Sequence, residues 1–184
     1  DIRKASGLDT LVSISKKLPE LQVQLVNSGA TANQIGQAVS AVTDAITARL
    51  LELAEAELGP PPVPYCWMAG GSQARREQSS HSDQDNALLI ADTMSEGDDA
   101  YFRQLAERVN DGLHACGYIY CPGEVMAKNP TWRQPLSVWQ RYFENWIQRP
   151  EPKALMLASV FFDLRALHDP AGLFAGLHQQ VLEL

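Results

Sequence analysis

Residues 65–91 read YCWMAGGSQARREQSSHSDQDNALLIA and contain two short apolar runs separated by a polar loop. The first run, Tyr65 to Ala69, ends at Gly70-Gly71, which predicts a strand that leads into a tight turn. The second run, Ala87 to Ala91, predicts another buried strand, because its residues are continuously apolar. Helical patterns lie on both sides of this segment. The sequence therefore predicts an α/β (α+β) fold with flanking helices.

Two aspartates, Asp83 and Asp85, precede the second predicted strand with one residue between them. In an extended chain residues i and i+2 point to the same side, so the two carboxylates lie side by side while Gln84 faces away. Neighbouring carboxylates repel each other unless a cation lies between them. Hard oxygen ligands of this kind suit Mg²⁺ or Mn²⁺. The spacing therefore predicts a divalent metal site.

The turn after the first strand has the features of a phosphate-binding loop. Gly70-Gly71 lets the backbone approach a ligand closely, and Ser72 can donate its hydroxyl. The polar residues after Ser72 can begin a helix, whose free N–H groups favour phosphate. A Gly-Ser pair alone is usually only a turn, and an Asp-x-Asp pair alone is usually solvated. The two together, in this order and at this spacing, favour a functional site.

The first 60 residues are predicted to be helical. Thr31 is a good N-cap, and apolar residues follow it at steps of three and four, which is the pattern of one helix face. The members of this stripe are Ile35, Val39, Val42, Ile46, Leu50 and Leu53. Shorter helices are expected around Leu8 to Lys17 and Pro19 to Asn27. We expect residues 1–60 to be a helical N-terminal segment and 61–184 the α/β domain, with the stripe as a packing face or, alternatively, a partner-binding face.

Beyond the second strand, helical and extended patterns alternate. Asp98 to Cys116 and Ser137 to Gln148 are predicted helices, because apolar residues recur in them at helical spacing. Gly117 to Tyr120 is a candidate short strand. Leu155 to Leu167 is apolar and rich in β-formers near Val160-Phe161-Phe162, which predicts a strand there, although its start can also be helical.

The composition limits the classes of function. Apolar residues make up 45% of the 184 residues, which is enough for a buried core, and the formal net charge is −7. A net negative charge argues against a protein that binds long nucleic acid through its phosphates. No run is long and apolar enough to cross a membrane, and no signal peptide opens the sequence. The 3 cysteines cannot all pair, which favours a reduced, cytoplasmic setting.

A zinc site is not predicted. His114, Cys116 and Cys121 lie near one another in the sequence, but a second close pair of ligands is missing. We interpret them as a histidine at a helix end and ordinary buried cysteines. His81 lies in the polar loop, where we interpret it as a solvated residue, with a phosphate contact as the alternative.

The Gly-Ser turn and the acidic pair together resemble the nucleotidyltransferase signature of the DNA polymerase β superfamily: an apolar strand, Gly-Ser, a polar spacer and Asp-x-Asp. The fuller strings at 71–78 and 82–86 are similar to a narrower bacterial branch of nucleotidyltransferases, found downstream of cyclic-nucleotide-binding and CBS regulatory domains. That branch is similar to the N-terminal part of the protein PII uridylyltransferases. Residues 121–132 and 160–165 carry the same resemblance. Because the sequence starts at Asp1 rather than Met, we expect it to be part of a longer protein.

The resemblance implies a small mixed sheet of the polymerase β type and two Mg²⁺ (or Mn²⁺) ions held by Asp83, Asp85 and Asp163. Asp163 is the match to the superfamily's third carboxylate, which lies on a later strand. The resemblance also implies that Gly71 and Ser72 hold the β- and γ-phosphates of a nucleoside triphosphate. These residues are the expected catalytic and metal-binding centre.

The residues themselves give Asp163 a weaker case. It follows Val-Phe-Phe, so it is expected at the end of an apolar strand, where a buried charge needs a partner. That partner is either a metal ion or Arg165, two residues further along the same strand face. Asp92 and Asp169 are lesser candidates for the third carboxylate.

Basic residues supply further candidates for nucleotide contacts. Arg75 or Arg76 can neutralise phosphate charge or, alternatively, pair with an acid of the same loop. Lys128 and Asn129 come shortly before Trp132, in a predicted loop where polar groups next to an aromatic ring can contact a nucleotide or an acceptor.

We expect a metal-dependent nucleotidyltransferase that moves a nucleoside monophosphate from a nucleoside triphosphate to a hydroxyl of a protein or small-molecule acceptor and releases pyrophosphate. Regulatory domains of the longer chain are the expected partners, and neither nucleic acid nor a membrane is. The alternative is a non-catalytic module that binds nucleotide or has a structural role in a signalling protein. Metal binding without any transfer would favour that alternative.

Overall fold

A computed structural model describes residues 1–79, 82–149 and 151–184 as helices packed around a four-stranded sheet. The strands are β1 (Tyr65–Ala69), β2 (Asn86–Ile90), β3 (Arg133–Pro135) and β4 (Arg165–His168). The helices are α1 (Leu8–Ser15), α2 (Leu18–Asn27), α3 (Ala32–Leu58), α4 (Gly71–Ala74), α5 (Asp99–Ala115), α6 (Leu136–Gln148), α7 (Pro152–Phe161) and α8 (Leu173–Leu182). None of the described helices is long and apolar enough to span a membrane.

The sheet has the strand order β3-β2-β1-β4 and mixes parallel with antiparallel pairs. β1 pairs antiparallel with both β2 and β4, whereas β2 pairs parallel with β3. Ala69 therefore lies opposite Asn86 on one side and Arg165 on the other, so the end of β1 meets the starts of β2 and β4. This arrangement confirms the predicted small mixed sheet with flanking helices.

The central strands β1 and β2 are fully buried, which explains why their sequences are continuously apolar. Tyr65 and Trp67 pack into a core that includes residues of α3 and α5. Cys66 and Met68 point to the opposite face, where they pack with residues of α6, α7 and α8. The sheet thus separates two apolar cores, with helices covering both faces.

The long helix α3 begins with a capping box at Thr31 and packs along α5. A Cβ added at Gly112 would lie 2.6 Å from Leu50 Cδ2, so the two helices are in close contact there. The predicted stripe is a packing face in this structure, because Val39, Ile46 and Leu50 are buried in the core of this chain. The division of the chain at residue 60 stays a prediction.

The prediction of a strand at Val160-Phe161-Phe162 is wrong. Helix α7 continues through Phe161, and strand β4 begins only after a turn. The ring of Phe161 packs against Trp132 and Trp139, with ring centroids 4.5 and 5.4 Å away, so tertiary packing overrides the β-propensity of the segment. Asp163 consequently lies in the turn between α7 and β4.

The candidate strand at Gly117–Tyr120 is reduced to an isolated bridge between Gln84 and Tyr120. The backbone N–H of Gln84 also donates to the carbonyl of Ile119 at 3.0 Å. This short pairing matters for the site, because it brings the segment that follows Tyr120 alongside the two aspartates.

Candidate active site

The turn between β1 and α4 requires glycine at position 71. Gly71 has a φ of +51°, in the left-handed region that favours glycine. A Cβ built on Gly71 would collide with the carboxylate of Asp85. The backbones of the two segments are also in contact, since the N–H of Gly70 donates a hydrogen bond to the Asp85 carbonyl at 2.8 Å. The Gly-Ser turn and the Asp-x-Asp segment therefore lie directly against each other.

Asp83 and Asp85 present their carboxylates on the same side, immediately before β2. An oxygen of each carboxylate and the Sγ of Cys121 all lie within 4.8 Å of one another. The side chain of Gln84 turns away and is only 2% exposed. The aspartates are thus placed as their spacing predicts. Two carboxylates at this separation are a donor set that suits a hard divalent cation.

The electrostatics of Asp85 also fit a bound cation. Partial burial raises the pKa of its carboxyl above the ordinary value, and the neighbouring charge of Asp83 raises it too. A hydrogen bond with Cys121 and the charge of Arg75 act in the opposite direction, but the net shift of the pKa is upward. A divalent cation would favour the charged form of both carboxylates. The residues present therefore fit a metal ion.

Cys121 is a member of this cluster that is not predicted from the sequence. Its thiol makes a hydrogen bond with Asp85, and burial raises the pKa of the thiol to about 11. Because the thiol is protonated at neutral pH, it can donate to the carboxylate and orient it. Local spacing does not predict this contact. It forms because the segment before Cys121 pairs with Gln84. The one available signal is that the resembling segment 121–132 begins at this cysteine.

Three buried amide side chains, Gln84, Asn86 and Asn110, hold the acidic segment from behind. Asn110 Nδ2 donates to Gln84 Oε1 and to Asn86 Oδ1, both at 2.8 Å. Gln84 Nε2 donates to the carbonyls of Asn110 and Tyr118 at 3.1 and 3.0 Å. The network fixes the residues on both sides of Asp85. No local sequence pattern predicts this network, because Asn110 comes from the distant helix α5.

The structure brings Asp163 to Arg75 rather than into the acidic cluster. Asp163 Oδ2 lies 3.2 Å from Arg75 Nη1, and Arg75 Nε lies 3.1 Å from Glu77 Oε2. The Asp163 side chain is 46% exposed, and it is outside the group of described ligand atoms within 4.8 Å of one another. Arg75 is also close enough to Asp85 to lower its pKa. Arg75 therefore connects the acidic pair with Asp163, but the three carboxylates are not assembled around one point.

The other basic candidates have different surroundings. Lys128 Nζ lies 3.5 Å from Asp111 Oδ1 and 3.5 Å from the centre of the Tyr120 ring, so its charge is already partnered. Arg76 is exposed and has a φ of +59°, which is unusual for a residue with a side chain. The interpretation of His81 as a loop residue lies outside the described part of the chain.

The remaining polar candidates have local structural partners. Asn129, Asp92 and Asp169 each accept backbone N–H groups at the start of a helix or a 3₁₀ turn, at 2.9 to 3.0 Å. Such capping contacts are the ordinary role of these side chains. Arg165, considered above as a partner on the same strand, pairs instead with Asp44 at 2.9 Å.

A small mixed sheet that presents a Gly-Ser turn against an acidic pair is the arrangement that the resemblance to nucleotidyltransferases implies. Comparison with protein families agrees: the model described as "Putative nucleotidyltransferase DUF294" matches residues 16–153. The match includes the turn, the acidic pair and Cys121, so the chain belongs to this nucleotidyltransferase family. Asp163 lies beyond the match. A comparison with curated proteins gave no match.

Proposed function

We propose that this chain transfers a nucleoside monophosphate from a nucleoside triphosphate to a hydroxyl of a protein or small-molecule acceptor, in a metal-dependent reaction that releases pyrophosphate. The observation that carries the proposal is the acidic pair of Asp83 and Asp85 held against the turn at Gly71-Ser72. Two neighbouring carboxylates beside a glycine turn are groups that suit a divalent cation and a phosphate, and this supports the proposal. Family membership supports the general reaction.

The proposed step is a displacement at the α-phosphorus of the triphosphate. The acceptor hydroxyl oxygen forms a new bond to the α-phosphorus, and the bond from that phosphorus to the bridging oxygen of the β-phosphate breaks. The bridging oxygen leaves with its electron pair as part of pyrophosphate. The hydroxyl proton passes to a carboxylate, for which we propose Asp163, since it lies exposed at the edge of the site.

Asp83 and Asp85 are the proposed ligands of Mg²⁺ or Mn²⁺, in a complete site of two ions. Asp163 is the proposed further carboxylate, and it would have to leave its ion pair with Arg75 to become a metal ligand. A bound divalent cation neutralises charge on the triphosphate and lowers the pKa of an attacking hydroxyl. The chain itself supplies the orientation. The thiol of Cys121 holds the Asp85 carboxylate, and the amide of Gln84 holds the backbone between the two aspartates.

Arg75 is the proposed phosphate ligand among the basic residues. Its guanidinium is partly exposed, near Asp85, and engages the carboxylates of Glu77 and Asp163. Phosphate oxygens accept the same planar donors as carboxylates do, so a triphosphate would compete with these two acids. Arg76 and Lys128 are further proposed phosphate ligands, ranked below Arg75. Lys128 would have to leave its present partners to bind phosphate.

The resemblance to protein PII uridylyltransferases supports a further proposal, that the acceptor is a protein in a signalling system. Regulatory domains of a longer chain and a cytoplasmic setting belong to the same proposal. The base of the nucleotide is left open, because no described contact selects one.

Calorimetric titration of the four ribonucleoside triphosphates, with and without Mg²⁺, tests the proposal. We expect Mg²⁺-dependent binding to the wild-type protein that is lost in the Asp83→Asn/Asp85→Asn double variant. Glu57→Gln is the control, because Glu57 is an exposed acid that pairs with Arg108 on the surface. Equal binding to the double variant and the control would refute the metal site. Absence of triphosphate binding to the folded wild-type protein would refute the proposed function.

A further inference from the structure

One side of helix α3 contacts the chain that follows the Gly-Ser turn. Gly36, Ser40 and Asp44 recur every four residues, so they lie in a row along the helix. A Cβ added at Gly36 would lie 2.9 Å from the carbonyl oxygen of Arg76. Ser40 Oγ accepts a hydrogen bond from the N–H of Gln78 at 3.5 Å. This polar row, which is separate from the apolar stripe of α3, places the helix directly behind the turn.

Asp44 makes the strongest contacts of the row. Its Oδ1 accepts hydrogen bonds from Gln73 Nε2 and from Arg165 Nη2, both at 3.0 Å, and its Oδ2 lies 2.9 Å from Arg165 Nη2. Gln73 is 4% exposed, and both charged side chains are largely shielded from water. Shielded charge pairs of this kind are screened less than exposed ones and hold a more definite geometry.

Arg165 extends the network to the short helix α4. Its Nη2 donates to the carbonyl of Gln73 at 3.0 Å, and its Nε donates to the carbonyl of Ala74 at 3.3 Å. Helix α4, which begins at Gly71, has a single turn and is not stable by itself, so tertiary contacts decide where it lies. Arg165 is also the first residue of β4 and follows Asp163 by two residues. The network therefore contacts both helix α4 and the segment that carries Asp163.

We propose that Asp44 is a positioning residue of the nucleotide site and acts through Gln73 and Arg165. It holds the Gly71-Ser72 turn and the start of β4 in one arrangement, so that the phosphate-binding turn and Asp163 face the same ligand. This inference rests on the proposed function. It assigns to α3 a part in nucleotide binding, although Asp44 itself is not expected to touch the nucleotide.

The test compares Asp44→Ala and Asp44→Asn with the control Glu57→Gln, which removes an ion pair from the C-terminal part of the same helix. Affinity for Mg²⁺-triphosphate is measured by calorimetry, affinity for Mn²⁺ alone by electron paramagnetic resonance, and exchange of the amides of residues 71–78 by mass spectrometry. We expect Asp44→Ala to weaken triphosphate binding about tenfold or more, because it removes the charge-assisted hydrogen bonds that hold Gln73 and Arg165. Mn²⁺ affinity should stay unchanged, and the amides of 71–78 should exchange faster. Asp44→Asn keeps one acceptor oxygen, so it should fold even where Asp44→Ala does not and show a smaller change in the same direction.

Three outcomes would overturn one proposal or the other. Triphosphate affinity and amide exchange equal to those of Glu57→Gln would refute the positioning role of Asp44. A parallel loss of Mn²⁺ and triphosphate affinity would refute it as well, because it would show general damage to the site. A wild-type protein that binds neither Mn²⁺ nor triphosphate would refute the proposed function, and amide exchange would still show whether Asp44 holds the turn.

Discussion

Gly71 combines a positive φ with a close approach to Asp85, so two separate penalties oppose a side chain there. We predict that Gly71→Ala lowers both the stability of the protein and its affinity for Mg²⁺-triphosphate. Gly29→Ala is a matched control, because Gly29 has a φ of +81° but open space where a Cβ would lie. The free energy of unfolding of the control should fall only by the cost of the left-handed conformation, roughly 1–2 kcal/mol. Its affinity for triphosphate should not change. Equal losses in both variants, measured by denaturation and calorimetry, would contradict the role given to the Asp85 contact.

The raised pKa of Asp85 has a consequence for stability. A carboxyl whose pKa is higher in the folded state destabilises that state above the folded pKa, and this cost disappears as the pH falls through it. We therefore predict that Asp85→Asn raises the melting temperature of the metal-free protein at neutral pH, and that the difference from wild type shrinks in acid. Excess Mg²⁺ should stabilise the wild type but not the variant. Thermal unfolding in chelator and in Mg²⁺ checks this, and a variant less stable than wild type in chelator would contradict it.

At the scale of single residues, the sequence predicts what local spacing determines. The placement of Asp83 beside Asp85, with Gln84 turned away, follows from the two-residue period of an extended chain. The contact of Cys121 with Asp85 forms between distant segments, so no local pattern encodes it. The direction of the Asp163 side chain depends on where α7 ends, which the sequence does not define sharply.

At the scale of elements, the amide network joins α5 to the acidic segment. Asn110 Nδ2 donates hydrogen bonds to two buried side-chain oxygens, Gln84 Oε1 and Asn86 Oδ1. Its removal leaves both oxygens without that donor. We predict that Asn110→Ala lowers the free energy of unfolding by roughly 1–3 kcal/mol, because two buried hydrogen bonds are lost and the N–H of Lys128 loses its acceptor, Asn110 Oδ1. The variant should also bind metal more weakly through Asp85. Asn145→Ala, at an exposed position of α6, should change neither quantity. Urea denaturation and Mn²⁺ titration measure both, and an Asn110→Ala variant that matched the control would exclude a supporting role for the network.

Elements differ in how well the sequence predicts them. The sequence predicts a helix from Asp98 to Cys116, and α5 spans Asp99–Ala115. The agreement is close because amphipathic spacing over several turns is a strong signal. Strands β3 and β4 are too short to show such a period: no pattern predicts β3, and the strand predicted around Val160-Phe161-Phe162 lies too early for β4. The aromatic end of α7 has the composition of a strand, but Phe161 is held in a helix by its packing against Trp132 and Trp139. Strands β3 and β4 and the end of α7 are therefore decided by their neighbours more than by their own residues.

At the scale of the whole molecule, α3 covers one face of the sheet. Tyr65 and Trp67 of β1 share a core with Val39 and Ile46 of α3, and Leu11 of α1 joins the same core. Burial of large apolar side chains contributes about 1.5–3 kcal/mol each, which is large compared with the total stability of a domain of this size. Loss of α3 would expose this face of the sheet to water and would remove the contacts of Asp44 with Gln73 and Arg165.

We therefore predict that a fragment of residues 61–184 does not fold cooperatively, whereas residues 1–184 do. Circular dichroism during heating should show a sharp transition for the full sequence and none for the fragment. Addition of a separate 1–60 fragment should restore the transition, because the missing side of the core is then supplied in trans. The result decides between two descriptions of the chain. A fragment 61–184 that melts cooperatively and binds Mg²⁺-triphosphate would show that the first 60 residues are a dispensable appendage, and α3 would then lose its proposed part in the site.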